Sequence, residues 1–192
     1  LPRLKKLREQ GVAALFCDNA AHIALGREAG MELLSGPFLN LTNSLALAEA
    51  ETLGIAAAVV SVEEKLDDMR ALRAGIPLGA AVYGSLPLMA VRSCPVKAQL
   101  GCAKCGRKGF VTDRKGISFP VRCDYDKSAS FLYNAVPLEM SDRVRELEFL
   151  DFWLFSFTEE TAQEVRETLR RYGAGAKPSG SYTRGLYYRG ID

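Results

Sequence analysis

Residues 55–83 read Ile55-Ala-Ala-Ala-Val-Val-Ser61, then a charged stretch from Glu63 to Leu72, then Pro77-Leu-Gly-Ala-Ala-Val-Tyr83. The two outer runs are apolar, short and bounded by Gly, Ser or Pro, which suits strands buried on both faces. The middle stretch carries charges of both signs and suits a helix with a solvated face. Strand, helix, strand in this order is a βαβ unit, and it predicts a parallel sheet.

The same alternation extends upstream. Val12-Ala-Ala-Leu-Phe-Cys17 predicts a strand that ends at Asp18-Asn19, and the helix after it stops at Gly30. Met31-Glu-Leu-Leu-Ser35 predicts a second strand, leading into the polar turn Asn40-Leu-Thr-Asn43-Ser44. Ser44 to Leu53 is rich in helix formers and stops at Gly54, and residues 3–10 close a further helix at Gly11. Downstream the alternation breaks at Gly84. From there to about Pro137 no helical period is present, and Cys, Gly, Arg, Lys, Asp and Pro mix with short β-like pieces. An insertion of this length is usually functional. The pattern then resumes with a helix over Ser141–Leu150, a strand at Asp151-Phe-Trp-Leu-Phe-Ser156 and a helix over Thr158–Tyr172 with Thr158 as its cap. Residues 174–192 form a Gly/Ser-rich, then basic and aromatic, tail.

Five parallel-type strands are too few for a closed eight-stranded barrel. A half barrel has two open edges, which are costly unless they are covered or paired. The expectation is therefore a fragment of a longer protein, or a chain completed by a second chain, a second copy of itself included.

The 192 residues are 48% hydrophobic and 25% charged, which matches a globular domain and argues against disorder. A formal charge of +2 points to no particular partner, so any nucleic-acid contact must come from a local patch. No run is long and apolar enough for a membrane span, and the start lacks a signal-peptide layout, so the expected location is the cytoplasm.

In a reducing compartment, clustered cysteines usually signal metal or redox chemistry. Cys94, Cys102, Cys105 and Cys123 all fall inside the insertion, and Cys102-Ala-Lys-Cys105 is a knuckle flanked by Gly101 and Gly106. That spacing lets two thiolates reach one metal, and four thiolates suit either tetrahedral zinc or a [4Fe–4S] cluster. Lys97, Lys104, Arg107 and Lys108 would offset the thiolate charge. Free thiols and disulfides remain the alternatives, and Cys17 reads as a small core residue. The single histidine, His22, follows a strand and reads as a cap or structural residue.

The stretch Tyr83-Gly-Ser-Leu-Pro-Leu-Met-Ala-Val-Arg-Ser-Cys94-Pro, with Gly101-Cys-Ala-Lys-Cys105, Asp113-Arg-Lys-Gly116, Phe119-Pro-Val121 and Asn134-Ala-Val-Pro-Leu138, resembles peptidase family U32. Phe157-Thr-Glu159 and Thr183-Arg-Gly-Leu-Tyr-Tyr-Arg-Gly190 extend the likeness to the collagenase-like members, and Asn40-Leu-Thr-Asn43-Ser44 and Ser61-Val-Glu63 resemble two turns of their barrel. The resemblance implies an α/β fold, a partial TIM-like (β/α) barrel over residues 1–173 with the Cys-rich insertion at about 84–137. It implies that Cys94, Cys102, Cys105 and Cys123 are ligands of an iron–sulfur cluster. It also implies hydroxylation of RNA bases, with RNA as partner, or of the ubiquinone ring, or else the older peptidase activity.

Barrel sites lie at the C-terminal ends of strands, where Asn19, Asn43, Glu63 and Tyr83 are expected. Glu63, Tyr83 and Arg114 are the candidate catalytic residues, and Asn19, Asn43, Arg92 and Arg184 the candidate substrate-binding ones. Arg189, Tyr182, Tyr187 and Tyr188 complete a set suited to phosphates and bases. The plainer reading makes these residues helix caps and solvated charges. A peptidase would need a base for a cysteine or a metal-bound water, with His22 or Glu63 to supply it. A third reading is a zinc-stapled domain without catalysis.

Overall fold

The computed structural model describes residues 1–103, 105–124 and 129–190. Helix α1 (Pro2–Glu9) leads to β1 (Ala14–Cys17), α2 (Ala20–Glu28), β2 (Glu32–Ser35), α3 (Ser44–Thr52), β3 (Ile55–Val59), α4 (Leu66–Ala71) and β4 (Leu78–Gly84). The insertion follows as β5 (Pro87–Val91), α5 (Pro95–Leu100), β6 (Lys108–Thr112), β7 (Ser118–Asp124) and β8 (Ala129–Tyr133). A short β9 (Leu138–Glu139), β10 (Phe152–Ser156) and α6 (Ala162–Gly173) complete the order.

All five expected parallel strands are present. They pair in the order β1-β2-β3-β4-β10, each neighbour parallel. Sequential order distinguishes this sheet from a doubly wound one, in which the order reverses. Successive right-handed crossovers without reversal keep the helices on one face, so the sheet curls into a half barrel. Among the described residues, no helix is long and apolar enough to cross a membrane.

Three local expectations are corrected. Residues 84–137, expected as short β-like pieces without a helix, form an antiparallel sheet in the order β5-β8-β7-β6 and also contain the helix α5 against it. The last helix starts at Ala162 and is capped by Thr161, not Thr158. The reason is a capping box between Thr161 and Glu164, while the Glu160 carboxylate takes the Thr158 and Glu159 amides and holds them as a turn. Ser141–Leu147 is a 3-10 segment, because Arg143 leaves helical geometry at φ −119.

The core has two parts. Leu33, Leu47 and Ile55 fill the space between β1–β3 and the helices α2 and α3. Leu66, Met69, Met140, Leu147, Tyr172 and Tyr187 pack around β4. Two tyrosines there meet a specific demand. Opposite β10 the register jumps from Leu154↔Ala81 to Phe155↔Tyr83, which leaves Val82 bulged without a partner. The Tyr172 hydroxyl donates to the Val82 carbonyl and accepts from the Met140 amide at 2.7 Å. On the other side β3 pairs with β4 only as far as Gly79, and the Tyr187 hydroxyl donates to the Ala81 carbonyl beyond it. A buried carbonyl without a partner costs about 1–3 kcal/mol, so both hydroxyls are needed where they stand. The tail is thereby part of the core rather than an appendage.

Two outcomes follow for denaturation. Tyr172→Phe strands two backbone groups and Tyr187→Phe one, so urea unfolding should show losses of about 1–3 kcal/mol, larger for Tyr172→Phe. Burial also pushes the Tyr83 phenol up to about 12 and raises Tyr172 and Tyr187 further. In the unfolded chain these phenols ionise near about 10. Their contribution is fully present below that pH and is lost as pH rises through the folded values. An alkaline titration should therefore show tyrosinate absorbance appearing together with loss of near-ultraviolet circular dichroism.

Candidate functional site

The insertion leaves the half barrel at Gly84, whose φ is +126 and whose missing side chain lets the chain pass the Ser156 carbonyl. It returns through β9, which pairs antiparallel with β4 as Tyr83↔Glu139 and Gly84↔Leu138. The antiparallel sheet therefore stands over the C-terminal ends of the parallel strands, where barrel proteins place their sites.

Its two faces differ. Lys108, Phe110, Pro120, Arg122 and Phe131 alternate onto one face, because Lys108↔Arg122, Phe110↔Pro120 and Arg122↔Phe131 are cross-strand partners. Val121, Cys123 and Ser130 alternate onto the other. Helix α5 docks on that second face through Val96, which is 3% exposed and occupies the room left by the missing side chain of Gly109.

Cys94, immediately before α5, is thereby brought beside β7 and β8. Cys94, Cys102 and Cys123 line one cavity of about 550 Å³, with Arg92 and Lys97 on its wall. A hydrogen bond with the Ser130 hydroxyl holds the Cys94 thiol below its ordinary pKa, helped by the Lys97 and Val96 amides and the Lys97 charge. Cys105 lies one knuckle away, with its thiol 3.5 Å from the Cys102 carbonyl oxygen. All five cysteines are free thiols. Among the described residues, no three His, Cys, Asp or Glu side chains are already gathered into a metal-binding group. Lys104, expected to offset the thiolate charge, lies outside the described residues.

A larger cavity, about 880 Å³, lies between the first face of the insertion and the ends of β1 and β2. Asp18, Asn19, His22 and Phe38 supply the half-barrel side, and Arg107, Arg122, Phe131 and Tyr133 belong to the insertion side. Cys123 borders both cavities, so β7 is the wall between them. A third cavity of about 520 Å³ runs between the same sheet and the β10–α6 turn, and Arg122 borders it as well. Arg122 donates to the Thr158 carbonyl and pairs with Glu159, as does Lys108 at 3.6 Å. These contacts tether the insertion to the half barrel.

The residues expected from sequence fall into separate places. Asn19 borders the large cavity while its side chain caps α2, accepting from the His22 amide at 3.2 Å. Asn43 caps α3 through the Ala46 amide and is exposed. Glu63 is exposed, and its amide donates to Ser61 Oγ. Ser61 Oγ in turn donates to Asn40 Oδ1 at 2.6 Å, so the two polar turns singled out in the sequence are bonded to each other. Tyr83 is 7% exposed and donates to Glu160 at 3.0 Å. Arg92 borders the cysteine cavity, whereas Arg114 sits at the exposed tip of the β6–β7 hairpin. Arg184 turns inward, to the Glu139 carbonyl and to Asp142 at 2.7 Å.

Asp18, Arg122, Ser130 and Glu160 escaped the sequence reading, since each gains its role only from a distant strand. The His22 ring lies against its own turn. Nδ1 faces the Asp18 amide at 3.3 Å and Nε2 faces the Asn19 side-chain amide at 3.0 Å. The cap of α2 is Asn19, and His22 stands in the first turn that Asn19 caps, at the rim of the large cavity.

No protein-family model, no curated protein and no solved structure matches this chain.

Glu160 binds the Tyr83 hydroxyl and two amides at once. Glu160→Ala should lower stability by about 1–3 kcal/mol in urea. Arg114→Ala at the exposed tip should change it by less than about 0.5 kcal/mol.

Proposed function

We propose that this chain is the cysteine-bearing part of a (β/α) barrel of the U32 kind, and that it holds an iron–sulfur cluster serving hydroxylation of an RNA base. The observation that carries this reading is the shared wall: Cys123 borders both the cysteine cavity and the large rim cavity. A group held by Cys94, Cys102, Cys105 and Cys123 would then lie one strand away from a substrate in the rim cavity.

The donor set fits such a group in kind. Thiolates are what both a cluster and zinc require, and the Cys94 thiol is already biased towards ionisation. Arg92 and Lys97 offset the negative charge that four thiolates bring. Gly101 and Gly106, both at positive φ, give the backbone on either side of Cys102 and Cys105 the freedom to turn that a shared ligand set would need. A bound cluster supplies electron transfer. The chain's own residues hold the substrate. Phe38, Phe131 and Tyr133 offer flat apolar walls suited to a base, and Asp18 and Asn19 offer polar groups at one end.

The peptidase reading has less support, because the His22 ring lies against its own turn, with Nδ1 accepting from the Asp18 amide, and Glu63 is exposed. A zinc-held insertion without catalysis uses the same four cysteines and is separated by one experiment.

Protein purified without oxygen should be brown, with broad absorption near about 400 nm and about four irons per chain. Single Cys→Ala changes at Cys94, Cys102, Cys105 and Cys123 should each remove the colour. A colourless chain with one zinc would overturn the cluster and leave the stapled domain.

A further inference from the structure

We propose that the β6–β7 hairpin is a docking surface for single-stranded nucleic acid, with Arg114 and Lys115 on phosphates and Phe110 under a base. The charge distribution carries the argument. Residues 84–137 hold nine Lys and Arg against three Asp, a net of +6, within a chain whose total is only +2. The rest of the molecule is therefore net negative, and the insertion is a basic module on an acidic body.

Not all of that charge is available. Lys108 and Arg122, at the root of the hairpin, share Glu159. Arg114 and Lys115, at the tip, are exposed and form no ion pair among the described residues. The neighbouring Asp113 carboxylate is turned to the Lys115 and Ile117 amides at 2.8 and 2.9 Å, which fixes the tip and leaves its cations facing solvent. Phe110 lies on β6 between root and tip, opposite Pro120, and is still 64% exposed, which leaves most of its ring in water. Exposed cations at a hairpin tip with an exposed aromatic on the strand leading to it are the elements of sequence-tolerant single-strand binding, in which salt-sensitive phosphate contacts combine with base stacking. The tail is largely committed to the chain itself: Tyr187 is buried, Arg184 is bonded inside and lies over the Tyr182 ring, and Tyr188 donates to Glu146, while Arg189 is exposed.

The choice of RNA as the strand rests on the function proposed above, whereas the surface rests on charge and exposure alone. The test is fluorescence anisotropy of labelled oligoadenylate with the whole chain over a range of salt. Binding should weaken steeply as salt rises. The Arg114→Gln/Lys115→Gln pair should flatten the logarithmic salt slope by about 1.4, two contacts at roughly 0.7 each. Phe110→Ala should weaken binding roughly ten-fold and leave the slope unchanged. These positions are exposed, so the variants should keep the parent circular dichroism. Absence of saturable binding would overturn the proposal, as would a slope that the double variant leaves intact. Equal binding to phosphatidylserine vesicles that ignores Phe110→Ala would overturn it in favour of a lipid surface. A colourless protein that still binds RNA through this hairpin upholds the docking surface while the cluster fails, and the converse result is equally readable.

Discussion

The middle of β4 is where the structure is most exposed to failure. A parallel strand needs partners on both edges, and β4 loses one of each within three residues. On one edge β3 stops, and on the other the bulge at Val82 interrupts β10. Two phenol hydroxyls, one from α6 and one from the tail, restore the missing hydrogen bonds. Neither tyrosine is replaceable by an aromatic of the same shape, because what the strand lacks is a donor. This is why the last helix and the tail are fastened to the sheet at its centre.

The same strand positions everything functional. Gly84 sends the insertion out and β9 brings it back beside β4, so the four-stranded sheet stands over the rim of the half barrel. Glu159 then ties its near face down through Arg122 and Lys108. The far face receives α5, and with it the first cysteine. A cavity on each face of one strand results, with β7 as the wall. The arrangement separates the cysteine chemistry from the rim while keeping the two within reach.

The parallel strands were legible because each is a short apolar run between turn residues, a pattern that depends only on neighbours in sequence. The four cysteines stood out by their nearness in sequence, and Cys94, Cys102 and Cys123 do line one cavity. What the sequence hid was nonlocal. Glu160 reads as a first-turn helix acid, yet it organises the turn before the helix and holds Tyr83. Arg184 reads as a substrate contact or else a solvated charge, yet Asp142 and the Glu139 carbonyl draw it inside. The insertion showed no period because its strands are short and punctuated by Gly and Pro. Only the pairing of β5 with β8, about forty residues on, brings β5 into the sheet that β6, β7 and β8 form.

The pinch formed by Tyr83↔Glu139 and Gly84↔Leu138 has a wider consequence. Seen from β4, the whole insertion is the loop of a β-hairpin, entering and leaving through adjacent backbones. Loop-closure cost grows only slowly with length, so the half barrel is almost indifferent to how much chain hangs from that pinch. The two units are thus separable in principle. The cysteine-bearing sheet can change in size or content, or be trimmed to a tight turn, while the register of the parallel strands beneath it stays the same.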